Sequence, residues 1–395
     1  MILRRIYTEL EAHLKKKQVT VILGMRRVGK STALRYLLSK VKHSNKIYLD
    51  CEKIELQSLF NTPSYDSIIA ELELYGINFK KPAVIGLDEI QLVKNLPSFI
   101  KYVYDTYQVK FIVTGSSSYY LKNQFTESLA GRKLIYEMFP LSFDEFLQFK
   151  KIEIPSMAKY SQIDYQTAWY NKTKLLYAEY IKFGGFPEVV LQKSVKDKTE
   201  LLWDIVNSYI DMDVKLLSDY SLSKDLFALV KLLAARVGSK LDFSKLSSVA
   251  GIDRRKISDY IYLFENTYFI HLVKPYTKNI DKEISQQPKI YFADTGLLNV
   301  LGGEQVSSGQ VFENTVAVQL HKLYRLNYYQ KKNGQEIDFI LNEKTAVEVK
   351  ETPILTDKAT LGRRALELGF KRHFLIGRQA PAGGFTDFKW GGNMF

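Results

Sequence analysis

Residues 24–31 read Gly-Met-Arg-Arg-Val-Gly-Lys-Ser. This is G-x-x-x-x-G-K-[ST], a spacing that suits the binding of phosphate groups. Glycines let backbone N–H groups close around phosphate oxygens, and the N-terminus of a following helix adds a partial positive charge. Lys30 is then expected to reach the β and γ phosphates of ATP, and the Ser31 hydroxyl to ligate Mg²⁺. The expected nucleotide contacts are Gly24, Met25, Arg26, Arg27, Val28, Gly29, Lys30, Ser31 and Thr32.

A second apolar run, 83–89, ends in Asp88 and Glu89. Asp88 is expected to hold Mg²⁺ through water, and Glu89 to act as general base for an attacking water. A third run ends in Thr114 and Ser116. Those hydroxyls either orient the water and contact the γ phosphate, or cap a helix starting near Ser117. Arg132 is a candidate arginine finger for a neighbouring subunit's γ phosphate; its plainer reading is a surface arginine near a helix C-terminus.

Another constellation lies further on. Glu348 and Lys350 share one face of a strand, because strand side chains alternate. Asp338 lies in the preceding strand, and Glu313 approaches from a helix. Three carboxylates and a lysine suit phosphodiester hydrolysis with a second Mg²⁺ or Mn²⁺. The same residues also fit a salt-bridged sheet edge, or a nuclease fold retained only for docking. Glu336 and Glu351 lie close by.

These residues need elements to place them. Short apolar runs at 18–24, 46–50, 82–88, 109–115 and 133–139 alternate with helical patterns at 31–41, 64–76, 98–107 and 118–131. That alternation predicts an α/β fold with a parallel sheet. Residues 151–222 read as mainly helical, broken by 184-GGFPE-188. Three helical stretches at 224–238, 242–251 and 253–270 suggest a helix-turn-helix, with a hairpin around 268–276 as its wing. Arg254, Arg255 and Lys256 begin its last helix. They either meet phosphates and base edges or form an exposed basic face. From 277 the pattern is helix, three-strand meander with Asn-Gly at 333 and 334, helix, strand. The expected domains are therefore 1–150, 151–222, 223–276 and 277–395.

In this order GMRRVGKST, IGLDEIQ, TGSSSYYL, SLAGRK and PLSFDEF resemble a prokaryotic AAA+ ATPase family. GGFPE, KIYFADTGLL, ENTVAVQL, EIDFIL and VEVK resemble the C-terminal domain, of uncharacterised function, that its members carry. The resemblance implies an ATPase core, a winged helix and a small domain of the PD-(D/E)XK restriction-endonuclease-like fold. The loop departs from the family in reading Met-Arg-Arg where Pro-Arg-Gln is more frequent; these positions contribute mainly backbone.

Composition sets outer limits. Of 395 residues, 46% are hydrophobic and 25% charged, ordinary for a soluble globular chain. The longest apolar runs, such as 225–237, are interrupted by charge and fall short of the roughly 18 residues that span a bilayer. The first residues show no signal peptide. One cysteine excludes a disulfide framework and a multi-cysteine metal site. The expected compartment is the cytoplasm, with no membrane partner. A net charge of +13 suits a polyanion, so DNA is the expected partner. The expected function is ATP hydrolysis coupled to DNA binding or processing. The alternative is a nucleotide-dependent switch that forms homo-oligomers and binds protein partners, with an inactive nuclease-like tail.

Overall fold

The computed structural model describes residues 2–116, 129–153, 165–214, 223–277, 279, 286–331, 334–381 and 384–393. Ser117, most of the helix expected at 118–131, and Asn333 lie outside these residues. The chain divides into two compact units. The first is built on Met1–Phe139; the second holds the remainder apart from two short segments around 212–214 and 266–268. The break precedes the expected boundary at 150. The segments expected as separate helical, winged-helix and C-terminal domains contribute to one unit.

In the first unit the apolar runs form β1 (Val19–Leu23), β2 (Lys46–Asp50), β3 (Ala83–Asp88), β4 (Val109–Gly115) and β5 (Lys133–Glu137). They pair in parallel in the order β2-β3-β4-β1-β5. β1, β3 and β4 are buried along their whole length, as central parallel strands covered on both faces should be. β4 stands between β1 and β3. The helix Lys30–Lys40 packs across β3 and β4. A short helix at Ile54–Phe60 had no separate sequence signal.

The second unit is organised on seven strands in the order β12-β11-β10-β9-β8-β6-β7. These are β6 (Ile270–Pro275), β7 (Lys289–Phe292), β8 (Leu326–Gln330), β9 (Glu336–Leu341), β10 (Thr345–Lys350), β11 (Arg372–Gly377) and β12 (Lys389–Trp390). The β8-β9-β10 meander is antiparallel as expected. The strand read as a wing is different. β6 pairs antiparallel with β7 and parallel with β8, so it is an internal strand of this sheet. The expected helix-turn-helix occupies Ser223–Ala234, Phe243–Ala250 and Arg254–Asn266. Asp242 caps its middle helix through the Lys245 N–H, and Gly251 ends it in the left-handed region. Arg254, Arg255 and Lys256 are exposed.

Much of the abundant Tyr and Phe is core. Phe143 meets Tyr177, Tyr180 and Trp390 edge-on or tilted, and Trp390 meets Tyr177 edge-on. The Tyr177 hydroxyl is satisfied by Gln319 Oε1 at 3.1 Å. The segment 184–188 is locked to the start of the helix Thr295–Gly302. Asp294 accepts from the Gly185 N–H at 2.7 Å and from the Gly296 N–H at 2.8 Å. Gly184 has φ +74°, and a Cβ there would lie 1.9 Å from Asp294 Oδ1. PLSFDEF is likewise structural: Ser142 and Glu145 form a capping box on the helix Phe143–Phe149.

Burial pushes the Asp294 carboxyl up to about 6, against the pull of its three backbone N–H donors. The folded state thus keeps a proton that the unfolded chain has lost. This contribution to stability is complete below the ordinary value of 3.8 and disappears as pH rises through about 6. Asp294→Ala should destabilise the protein by about 1–3 kcal/mol, because buried N–H groups lose their acceptor. In urea titrations between pH 4 and 7, Asp294→Asn should show a flatter dependence of stability on pH than the wild type.

Candidate functional site

Parallel pairing puts the C-terminal ends of β1, β3 and β4 on one edge, where open α/β sheets hold their ligands. The 24–29 loop leaves β1 there and enters the helix Lys30–Lys40. Gly24 sits at φ +153°, and a Cβ would lie 2.1 Å from the Met138 carbonyl oxygen. No other residue fits. Arg4 holds the loop from behind, donating to the Val28 oxygen at 3.0 Å and the Phe139 oxygen at 3.0 Å. No motif pointed to Arg4.

Lys30 is 3% exposed. It donates to the Met25 oxygen at 2.9 Å, and its Nζ lies 3.7 Å from Glu89 Oε1. Asp88 is 2% exposed and held on both oxygens. Thr114 Oγ1 donates to Oδ1, and the Tyr48 hydroxyl donates to Oδ2 at 2.6 Å. Burial raises the Tyr48 pKa, with the bond to Asp88 next, so Tyr48 stays a donor. Arg35 lies over the Tyr48 ring at 4.2 Å.

Glu89 is in the left-handed region at φ 51°, unusual for a non-glycine residue and a mark of local strain. Its N–H is held by Thr114 Oγ1 at 3.1 Å. Gln91 bridges Glu89 Oε2 at 2.5 Å and Ser116 Oγ at 3.0 Å. Thr114 therefore touches both acids, and Ser116 is linked to Glu89 through Gln91. Gln91, Tyr48 and Arg4 were missed; for Gln91 the signal was its place two residues after the acid pair. Ser31 and Thr32 open the helix, Ser31 half-buried and Thr32 exposed. Arg26 pairs with Glu52 at 3.4 Å, and Arg27 takes φ +63°. Met25 and Val28 are buried. Arg132 is apart from this group, bonded to Asp105 at 2.9 and 3.2 Å.

For an Mg²⁺ carried in with a nucleotide, the fit is good. Such ions need one or two protein oxygens beside phosphates and water. Ser31 and Asp88, on the same edge, would be those oxygens, Asp88 through water because Thr114 and Tyr48 hold its own.

The second constellation is assembled on the other sheet. The β9–β10 register pairs Phe339 with Val347 and Ile340 with Ala346. Alternation then puts Glu336, Asp338, Glu348 and Lys350 on one face. Glu313 projects from the helix Ser308–His321. Its Oε1 accepts from the Tyr291 hydroxyl at 2.7 Å. Asp338 Oδ2 accepts from the Val349 N–H at 2.8 Å, and Glu348 Oε1 from Lys350 Nζ at 2.9 Å. Lys289 was missed. It is buried, pairs with Glu336, and lies 3.7 Å from Glu313. A cation in a four-residue strand carries no sequence signal.

Burial, then the charge of Asp338, pushes Glu313 and Glu348 each up to about 7. Burial also raises Asp338. Burial opposes charge on Lys289, yet Glu313, Asp338 and Glu336 outweigh it and raise its pKa. Tyr291, Lys289, Lys350 and a backbone N–H each hold an oxygen of these acids. Among the described residues no three acids, histidines or cysteines are grouped as metal ligands. Among these acids Glu348 Oε2 is buried without a hydrogen-bond partner.

Residues 16–147 match the AAA domain model. Residues 174–308 and 308–379 match two domains of unknown function, DUF8612 and DUF4143. The chain is 28% identical over 347 residues to an uncharacterized protein of Methanocaldococcus jannaschii, covering 85% of this chain and 75% of that one. It is 27% identical over 357 residues to an uncharacterized protein of Haemophilus influenzae, covering 86% and 85%. Among solved structures, the Thermotoga maritima RuvB Holliday junction branch migration motor gives a TM-score of 0.35 at 15% identity, covering 68% of this chain and 89% of that one. The Aeropyrum pernix ORC1 protein in complex with DNA gives 0.32 at 12% identity, covering 76% and 92%. No helix among the described residues is long and apolar enough to cross a membrane.

Lys30→Ala removes the cation that phosphate would take from Glu89. Hydrogen bonds to charged groups contribute about 1.5–3 kcal/mol, so binding of a fluorescent ATP analogue should weaken by about ten- to a hundredfold.

Proposed function

We propose that the chain hydrolyses ATP on the 24–31 loop and uses the cycle to bind and release DNA through its second unit, without cutting it. One observation carries the hydrolytic part: Lys30 and Glu89 meet beside Asp88 at the parallel edge, with Gln91 and Thr114 fixing Glu89. In this reading Lys30 exchanges Glu89 for the β and γ phosphates. Bound Mg²⁺ neutralises charge on those phosphates. Glu89, released, accepts the proton of the attacking water, while Gln91 holds its other oxygen. Thr114 and Tyr48 keep Asp88 oriented. Arg132 completes a neighbour's site only by leaving Asp105.

The DNA part rests on the charge of +13 and on the exposed Arg254, Arg255 and Lys256. The non-cutting clause rests on Lys289. A buried ammonium among the acids does the neutralising that a metal would do in a nuclease. The same lysine favours the second reading, a nucleotide-dependent switch with an inactive tail that docks protein partners.

Glu89→Gln should retain ATP binding and lose about 10²–10⁴-fold in turnover, measured as phosphate release; undiminished turnover would remove Glu89 as the base. ATPase rates with and without DNA, at two salt concentrations, test the coupling. No stimulation and no salt-sensitive binding would leave only the switch. Incubation with DNA in Mg²⁺ or Mn²⁺ should yield no cleavage; cleavage lost in Asp338→Ala and Lys350→Ala would overturn that clause.

A further inference from the structure

In the second unit a groove runs along the end of the sheet where β10 and β11 begin. It consists of a cavity of about 680 Å³ and a neighbouring one of about 610 Å³, which share Lys344, Lys371 and Arg372. Thr345 opens β10 opposite Arg372 of β11. The carboxylate cluster lies towards the other end of the same strand, and from Thr345 to Glu348 is about 10 Å at the usual strand rise. The groove is therefore separate from that cluster.

Its charge is one-sided. The acids on its rim are already matched: Asp387 pairs with Lys358, and Glu343 with Arg325 at 3.3 Å. Lys344, Lys371 and Arg372 are exposed and form no ion pair among the described residues. His373 lines the larger cavity, and its Nδ1 is buried with no hydrogen-bond partner. Aromatic rings alternate with these cations. Tyr324, the half-buried Phe374 and the buried Phe388 line one cavity; the half-buried Tyr276 and the buried Phe370, 5.2 Å apart, line the other. Tyr324 is 39% exposed.

We propose that this groove binds a single strand of nucleic acid, with phosphates on Lys344, Lys371 and Arg372 and bases stacked on Tyr324, Phe374 and Tyr276. A row of cations between aromatic platforms is what an unpaired strand requires, since each base offers a π-face and each linkage a negative charge. A duplex hides its base faces and would use only the exposed cations. An acidic peptide would use the cations but not the rings. The inference deepens the DNA reading above and rests on it.

The test is fluorescence anisotropy of the full chain with a labelled oligo-dT of about 15 nucleotides, long enough for a groove of this kind. Lys371→Glu/Arg372→Glu should weaken binding about tenfold or more and reduce the salt slope. Tyr324→Ala should weaken binding while leaving the salt slope unchanged. Both variants should keep the basal ATPase rate. If the groove variants bind like wild type while Arg254→Glu/Arg255→Glu does not, the groove is wrong and the DNA reading survives. If wild type binds neither single-stranded nor duplex DNA, the DNA reading itself falls. Tighter binding of duplex, or displacement of the oligonucleotide by poly-glutamate at lower concentration than by unlabelled oligo-dT, would overturn the single-strand assignment.

Discussion

Parallel pairing of β1, β3 and β4 is the constraint on which the nucleotide site depends. Because the three strands run the same way, the loop after β1, the acids ending β3 and the hydroxyls ending β4 emerge together. Thr114 makes the coupling concrete. It bonds both the Asp88 carboxylate and the Glu89 backbone. β4 thereby sets the orientation of one acid and the backbone turn of the other. An antiparallel β4 would send Thr114 to the far edge.

The second unit obeys a different constraint, the desolvation of charge. Asp338 lies close enough to Glu313 and Glu348 to repel both, and burial denies all three water. Lys289, Lys350 and the Tyr291 hydroxyl provide the compensation. A buried charged set of this kind is a poor source of stability compared with apolar packing, but removing one member leaves another uncompensated. Asp294 is the simpler version: one acid, three backbone donors and a glycine turn that leaves room for it.

Much of the first unit was legible because its signals are local. Val- and Ile-rich runs between helical patterns are what a sheet buried on both faces requires, and the loop spacing around Lys30 is tied to phosphate geometry. The second unit was less legible because its decisive contacts are remote. β6 reads as a wing until β8, some fifty residues later, pairs with it. Lys289 reads as a surface lysine until β9 and the helix Ser308–His321 bring acids around it. The left-handed backbone of Glu89 had no signal either, since nothing in Asp-Glu-Ile-Gln requires it. GGFPE was visible as a turn, but its dependence on Asp294 emerges only when residues more than a hundred positions apart meet.

The proximity of Lys30 to Glu89 bears on how long a nucleotide stays. Lys30 is neutralised from within by Glu89, so an incoming triphosphate would displace an internal anion, and the same anion would compete to expel the product. In the proposed cycle Glu89 would then be both the agent of turnover and a clock for release. A neutral residue at 89 prolongs residence twice over, by preventing cleavage and by abolishing the competitor. With a non-hydrolysable analogue only the second effect remains, and a longer dwell time would measure it directly.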